Sequence, residues 1–142
     1  MKFLSEWFSK LTGGSKPAQK FDKIIAAKVL SINKHPNADR LQVVELTDGT
    51  STLGPIVCGA FNLAVGDIVA LALPGAAISQ NIHSEKAEPF VVQKATIRGV
   101  ESQGMICAAF ELGLSSEKGQ GVMILKDNVL PGTKFSKDLI KV

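Results

Sequence analysis

Two clusters of polar residues hold most of the chemistry available to this chain. The first, His35-Pro36-Asn37-Ala38-Asp39-Arg40-Leu41, lies between an apolar run over Ile24 to Ile32 and an alternating run over Gln42 to Leu46. The second, Arg98-Gly99-Val100-Glu101-Ser102-Gln103-Gly104-Met105, mixes a cation, a carboxylate, a hydroxyl and an amide around two glycines. Pro36 fixes its own φ and disfavours helix at His35, so the first apolar run must end in a turn. Asn37 and Asp39 can hydrogen-bond the backbone of that turn. Arg98 can grip a phosphate with its planar fork, while Ser102 and Gln103 can reach a base edge or a ribose hydroxyl. A structural role competes at each place. The first cluster can be a corner between strands with Asp39 as an acceptor, and Arg98 can pair with Glu101 or Asp39 to hold one loop against another.

Other chemistries find little support. A nucleophilic thiol would need Cys58 or Cys107 beside His35 or His83, yet both cysteines sit inside apolar runs and read as small buried hydrophobes. A metal held by His35, Asp39 and His83 would require unrelated loops to converge. The chain has no Gly-rich phosphate loop, no nucleophile elbow and no cysteine pair at metal spacing. No catalytic residue, no metal ligand and no cofactor are therefore expected. Two cysteines without a secretion signal also give little ground for a disulfide.

Composition frames these choices. A chain of 142 residues, 45% hydrophobic and 20% charged, is long enough for one soluble domain with a real core. No apolar stretch approaches a membrane span, and Glu6, Ser9 and Lys10 break any signal-peptide core, so a cytoplasmic protein is expected. The net charge of +3 is unevenly spread. Residues 1–40 carry eight Lys/Arg against three Asp/Glu, whereas residues 41–142 carry eight against ten. Lys16, Lys20, Lys23, Lys28, Lys34 and Arg40 make the positive end, which suits a phosphate backbone or simply keeps the protein soluble.

The elements that must position these residues are mostly short strands. Phe3, Leu4, Trp7, Phe8 and Leu11 recur at helical spacing, so residues 1–12 are expected to form an amphipathic helix. Residues 13–21 read as a flexible linker and residues 22–142 as the folded domain. Strands are expected over Ile24 to Asn33, Leu41 to Thr47, Thr52 to Cys58, Asp67 to Leu73, Phe90 to Arg98, Gly104 to Ala108 and Val122 to Leu125. Gly54-Pro55 marks the third of these as an edge or bulged strand, and Gly113 closes a short helix from Ala109. Gln80 to Pro89 is polar and expected to be an exposed excursion. Many short strands punctuated by Gly and Pro, without βαβ alternation, predict a mainly β fold: a small closed or nearly closed barrel. The chain has no Tyr, and its Phe residues mostly fall in core patterns, Phe61 being the main exception. Recognition by many stacked bases is thus disfavoured, and shape or backbone recognition of a folded RNA stays open.

Five ordered motifs carry a family resemblance. They are Lys34-His35-Pro36-Asn37-Ala38-Asp39-Arg40-Leu41, Ile56-Val57-Cys58-Gly59-Ala60-Phe61-Asn62, Ala72-Leu73-Pro74-Gly75-Ala76, Arg98 through Cys107, and Glu111-Leu112-Gly113-Leu114. Together they resemble the tRNA-binding OB-fold domain near the N-terminus of the bacterial phenylalanyl-tRNA synthetase β subunit, over roughly residues 22–140. Relatives occur as free-standing tRNA-binding proteins and as appendages of other synthetases. The opening Met1-Lys2-Phe3-Leu4-Ser5-Glu6-Trp7-Phe8 also looks like the start of that subunit. Two features depart from the pattern: Phe61 stands where the family usually has proline, and the segment between Trp7 and the first strand is shorter.

The resemblance implies an OB-fold-type barrel acting as an auxiliary, non-catalytic tRNA-binding module. Its binding surface would comprise Lys34, Asn37, Asp39 and Arg40 with Arg98, Ser102, Gln103 and Met105. Asp39 fits such a surface best if it orients Arg40. The expected partners are tRNA, the rest of a β subunit and its α subunit if the chain is an excised domain of an ATP-dependent phenylalanine–tRNA ligase, or a second copy if it is free-standing. No membrane partner is expected. The alternative is a protein-interaction or oligomerisation module in which RNA binding is vestigial.

Overall fold

The computed structural model describes residues 21–119 and 121–141. The helix expected over residues 1–12, and the linker up to residue 20, lie outside the described residues. The strands are β1 (Ile24–Lys34), β2 (Gln42–Thr47), β3 (Thr52–Cys58), β4 (Ile68–Ala72), β5 (Ala77–Ile78), β6 (Phe90–Val91), β7 (Ala95–Ile97), β8 (Val100–Ser102) and β9 (Met105–Ile106). Five of them form one antiparallel sheet in the order β3-β2-β1-β4-β9.

β1 organises that sheet. Its first half, Ile24 to Lys28, pairs with β4, and its second half, Lys28 to Lys34, pairs with β2. Between Val29 and Ser31 the register slips, leaving Leu30 as an extra residue with its side chain 43% exposed. Such a bulge bends the strand and increases its twist, which lets one strand serve two partners that face in different directions. A second slip, where Leu53 and Ile56 of β3 oppose Leu46 and Val44, falls at Gly54-Pro55 as the sequence predicts.

The curled sheet then closes on itself as an OB-like barrel. The Gln103 N–H donates to the Pro55 carbonyl at 2.9 Å, and the Val57 N–H donates to the Ser102 hydroxyl at 2.9 Å. These bonds tie the edge strand β3 to the segment linking β8 and β9. Gly104 permits the closure, because a Cβ there would stand 2.6 Å from the Ala72 carbonyl oxygen. β4 is buried along its whole length and partitions the interior. Ile68, Ala70 and Ala72 face one cluster with Ile24, Phe21 and Phe135, while Val69 and Leu71 face another with Val29, Val44 and Ile56. Phe21 meets Phe135 edge-on at 4.9 Å between centroids, which packs the residue into the first of these clusters.

Three expectations need correction. The strand expected over Phe90 to Arg98 is two strands with different partners: β6 pairs with β5, and β7 pairs with β8. Consecutive polar residues at Gln93-Lys94 cannot both maintain a one-sided alternation, and the chain changes partner there. The strand expected over Gly104 to Ala108 is shortened to Met105–Ile106. Val122 to Leu125 makes only isolated bridges, Val69 to Ile124 and Leu125 to Ile140. The short helix from Ala109 is a 3-10 turn, Phe110–Leu112, ended by Gly113 in the left-handed conformation as expected.

Candidate nucleic-acid interface

The corner between β1 and β2 is held by its own side chains. The His35 N–H donates to the Leu41 carbonyl at 3.1 Å, closing the loop at its base. The imidazole of His35 is 2% exposed, and its Nδ1 accepts the Asn37 N–H at 2.9 Å. An accepting Nδ1 fixes the neutral tautomer with hydrogen on Nε2. That Nε2 lies 2.9 Å from the Ile97 carbonyl, to which it donates. His35 is thus a buried clasp between the corner and a strand sixty-two residues away. Its place directly before Pro36 marks the start of a turn; the clasp depends on a partner that local sequence does not reveal.

The second cluster is a hairpin. Ile97 opposes Val100, so Arg98-Gly99 is a two-residue turn, with φ of 52° and 90° respectively. Left-handed backbone at both central positions is the type I′ geometry that matches strand twist. Glycine accepts it freely, whereas arginine does so at a cost of roughly 1–2 kcal/mol. The Asn37 amide donates to the Arg98 carbonyl at 3.0 Å and steadies this tip. A Cβ on Gly99 would stand 3.3 Å from Asn37 Nδ2, so corner and hairpin tip are in direct contact.

The structure therefore brings the two clusters to one end of the barrel. Lys34 and Asp39 form an exposed ion pair at 3.6 Å, so Asp39 partners Lys34 and not Arg40. Arg40 and Arg98 are both exposed, and among the described residues neither makes an ion pair. The alternative role for Arg98, pairing with Glu101 or Asp39, is not taken up among those residues. Glu101 instead accepts from the Gln103 amide at 3.3 Å on the exposed side of the hairpin.

Ser102 and Met105 sit differently from the rest. Ser102 is 2% exposed, and its hydroxyl accepts from Val57 N–H and donates to the Gly104 carbonyl at 3.0 Å. Both functions of the hydroxyl are spent on closing the barrel. Met105 is half-buried on β9 and borders an open groove beside the hairpin. Both cysteines are buried and free, and burial raises each thiol above its ordinary range, which keeps it protonated.

A family described as "Putative tRNA binding domain" has a sequence model that matches residues 24–134, from the first residue of β1 to Lys134, which bridges back to Ile25. The chain belongs to this family. Its sequence is 43% identical over 122 residues to the phenylalanine–tRNA ligase beta subunit of Ralstonia nicotianae, covering 86% of this chain and 15% of that protein. Identity is 44% over 122 residues to the beta subunit of Cupriavidus pinatubonensis, again 86% of this chain and 15% of the relative. The beta subunit of Chlamydia pneumoniae is 44% identical over 123 residues, 86% of this chain and 14% of that one. The chain thus spans about one seventh of the length of the relatives it matches. Both polar clusters fall within the matched region of the family.

Proposed function

We propose that this chain is an auxiliary tRNA-binding module of the kind carried by phenylalanine–tRNA ligase beta subunits, docking folded RNA through its phosphate backbone with a few base contacts. The observation that carries this reading is the contact between Asn37 and the Arg98 carbonyl, which gathers Lys34, Arg40 and Arg98 at one end of the barrel. Two arginines without a carboxylate partner among the described residues are free to neutralise phosphate. Asn37 borders them as a neutral donor and Met105 adds an apolar edge, while Gln103 lies at the end of β8 away from the Arg98-Gly99 turn, where it lines a second groove with Thr52, Leu53 and Lys94. Ser102 supports the surface from below, since its hydroxyl is already committed. Asp39 tempers Lys34 and gives the corner its shape.

In this reading the module is non-catalytic and works in the cytoplasm. Aminoacylation chemistry resides in other parts of a ligase whose remaining beta-subunit modules and alpha subunit are its partners; a second copy is the partner if the chain acts alone. Binding of unmodified tRNA at graded salt tests the surface. Neutralising about three to five phosphates gives a slope of log affinity against log salt of roughly −2 to −4. The double substitution Arg40→Ala, Arg98→Ala is expected to weaken binding by about 1–3 kcal/mol and flatten that slope. Unchanged affinity in a folded double variant rules out this surface, and a flat salt response in the parent chain favours a protein-interaction module.

A further inference from the structure

An open groove of about 810 Å³ is lined by Ile97, the residue before Arg98, and by Met105, Phe61, His83 and Lys118. Phe61 is 58% exposed, an unusual setting for a phenylalanine. Its loop is nonetheless fixed. The side chain of its neighbour Asn62 donates to the Val122 carbonyl at 2.9 Å and accepts the Val122 N–H at 3.1 Å. Gly121 is pressed against that amide, since a Cβ there would stand 2.5 Å from Asn62 Oδ1. The aromatic ring is therefore carried on an anchored loop, so presenting it costs little ordering entropy on binding.

Glu111 also borders the groove. It is 6% exposed, and its Oε1 accepts the Ala108 N–H at 2.8 Å. Burial raises its affinity for a proton, while the Ala108 N–H and the charge of His83 act the other way. A carboxylate at the side of an apolar groove favours ligands that present N–H donors. An exposed aromatic, a buried acceptor and a lining cation, Lys118, are the ingredients for holding a single splayed base next to a backbone grip.

We propose that this groove takes one unstacked guanine of the bound RNA, stacked on Phe61 with its N1–H and N2 amino group donating to Glu111. Guanine presents two donors side by side on that edge. Uracil offers one ring N–H flanked by two carbonyl oxygens, which a carboxylate repels. Adenine and cytosine supply an amino group beside a ring acceptor, and fall between. This assignment rests on the tRNA-binding reading and gives roles to two residues outside the cationic surface.

Hexauridylate, plain or with one central G, A or C, tests it against the full 142-residue chain. The G-containing strand is expected to bind about tenfold or more tighter than hexauridylate, as for one good paired contact to a base. Phe61→Ala should weaken its binding by about 5- to 100-fold, the range for one stacked base, and Phe61→Trp should retain it. Glu111→Gln keeps an acceptor for the Ala108 N–H and should abolish the preference for G over hexauridylate. Equal affinity for all four strands overturns the assignment, as does undiminished affinity for the G-containing strand in folded Phe61→Ala or an undiminished G preference in folded Glu111→Gln. If tRNA binds with the expected salt slope while the strands are indistinguishable, the groove assignment fails alone. If tRNA itself does not bind, the underlying reading fails and the groove assignment with it.

Discussion

Ser102 illustrates how one hydroxyl can be diverted from recognition to architecture. Its residue type and its place beside Gln103 and Gly104 suit a contact with ribose or base. Its position in β8, however, points it at β3, where it satisfies the Val57 N–H and the Gly104 carbonyl. Removing it leaves a buried donor without a partner, and such groups cost about 1–3 kcal/mol. Ser102→Ala should lower the unfolding free energy by about that much in urea titrations, while the salt slope of RNA binding in the folded variant stays as in the parent. A full-strength loss of binding without loss of stability would instead make Ser102 a direct contact. His35 follows the same logic: both ring nitrogens are committed, one to Asn37 and one to Ile97.

Among the elements, β9 is led in close against β4. Gly104 leads into β9, and the Ala72 carbonyl occupies the space a side chain would need. Gly104→Ala must push the strands apart or distort the turn, and overpacking of this kind typically costs about 1–3 kcal/mol. The expected result is a lower urea midpoint with an unchanged denaturant slope; unaltered stability would show that the barrel closes more loosely than the Gln103 to Pro55 bond implies. The bulge at Leu30 is the complementary device. It opens the sheet enough for β1 to serve β2 and β4, so the strand that reaches the His35 corner also anchors the opposite core cluster.

At the scale of the whole molecule, proton binding couples to folding through Glu111. Burial holds its folded-state pKa above the ordinary carboxylate value, with the Ala108 N–H and His83 partly opposing. The folded state therefore binds more protons than the unfolded state just above the unfolded carboxylate pKa of about 4.3. Under linkage, this group's contribution to stability is present below that pH and declines as pH rises through the folded-state pKa. Glu111→Gln removes the titration and keeps the acceptor. Thermal melts should show the variant gaining on the parent as pH rises above about 4. A difference that is constant with pH would place the Glu111 carboxyl in a better-solvated setting than its burial indicates.

Local physics made much of this protein legible in the sequence. Alternation over Gln42 to Thr47, the apolar run before His35, Pro36 and the Asp48-Gly49 turn specify β1, β2 and their corner from neighbours in the chain. The barrel class and the family likeness followed from the same short-range signals and from five motifs in order. The meeting of Asn37 with the Arg98 carbonyl, the inward turn of Ser102, the pairing of Asp39 with Lys34 and the groove walled by Phe61 and Glu111 belong to tertiary structure. Most of these join residues dozens of positions apart, and even Lys34 and Asp39 needed the loop's three-dimensional path to select one cation over another. Closure of the barrel decides such contacts, because it brings together side chains whose local sequence carries no information about one another.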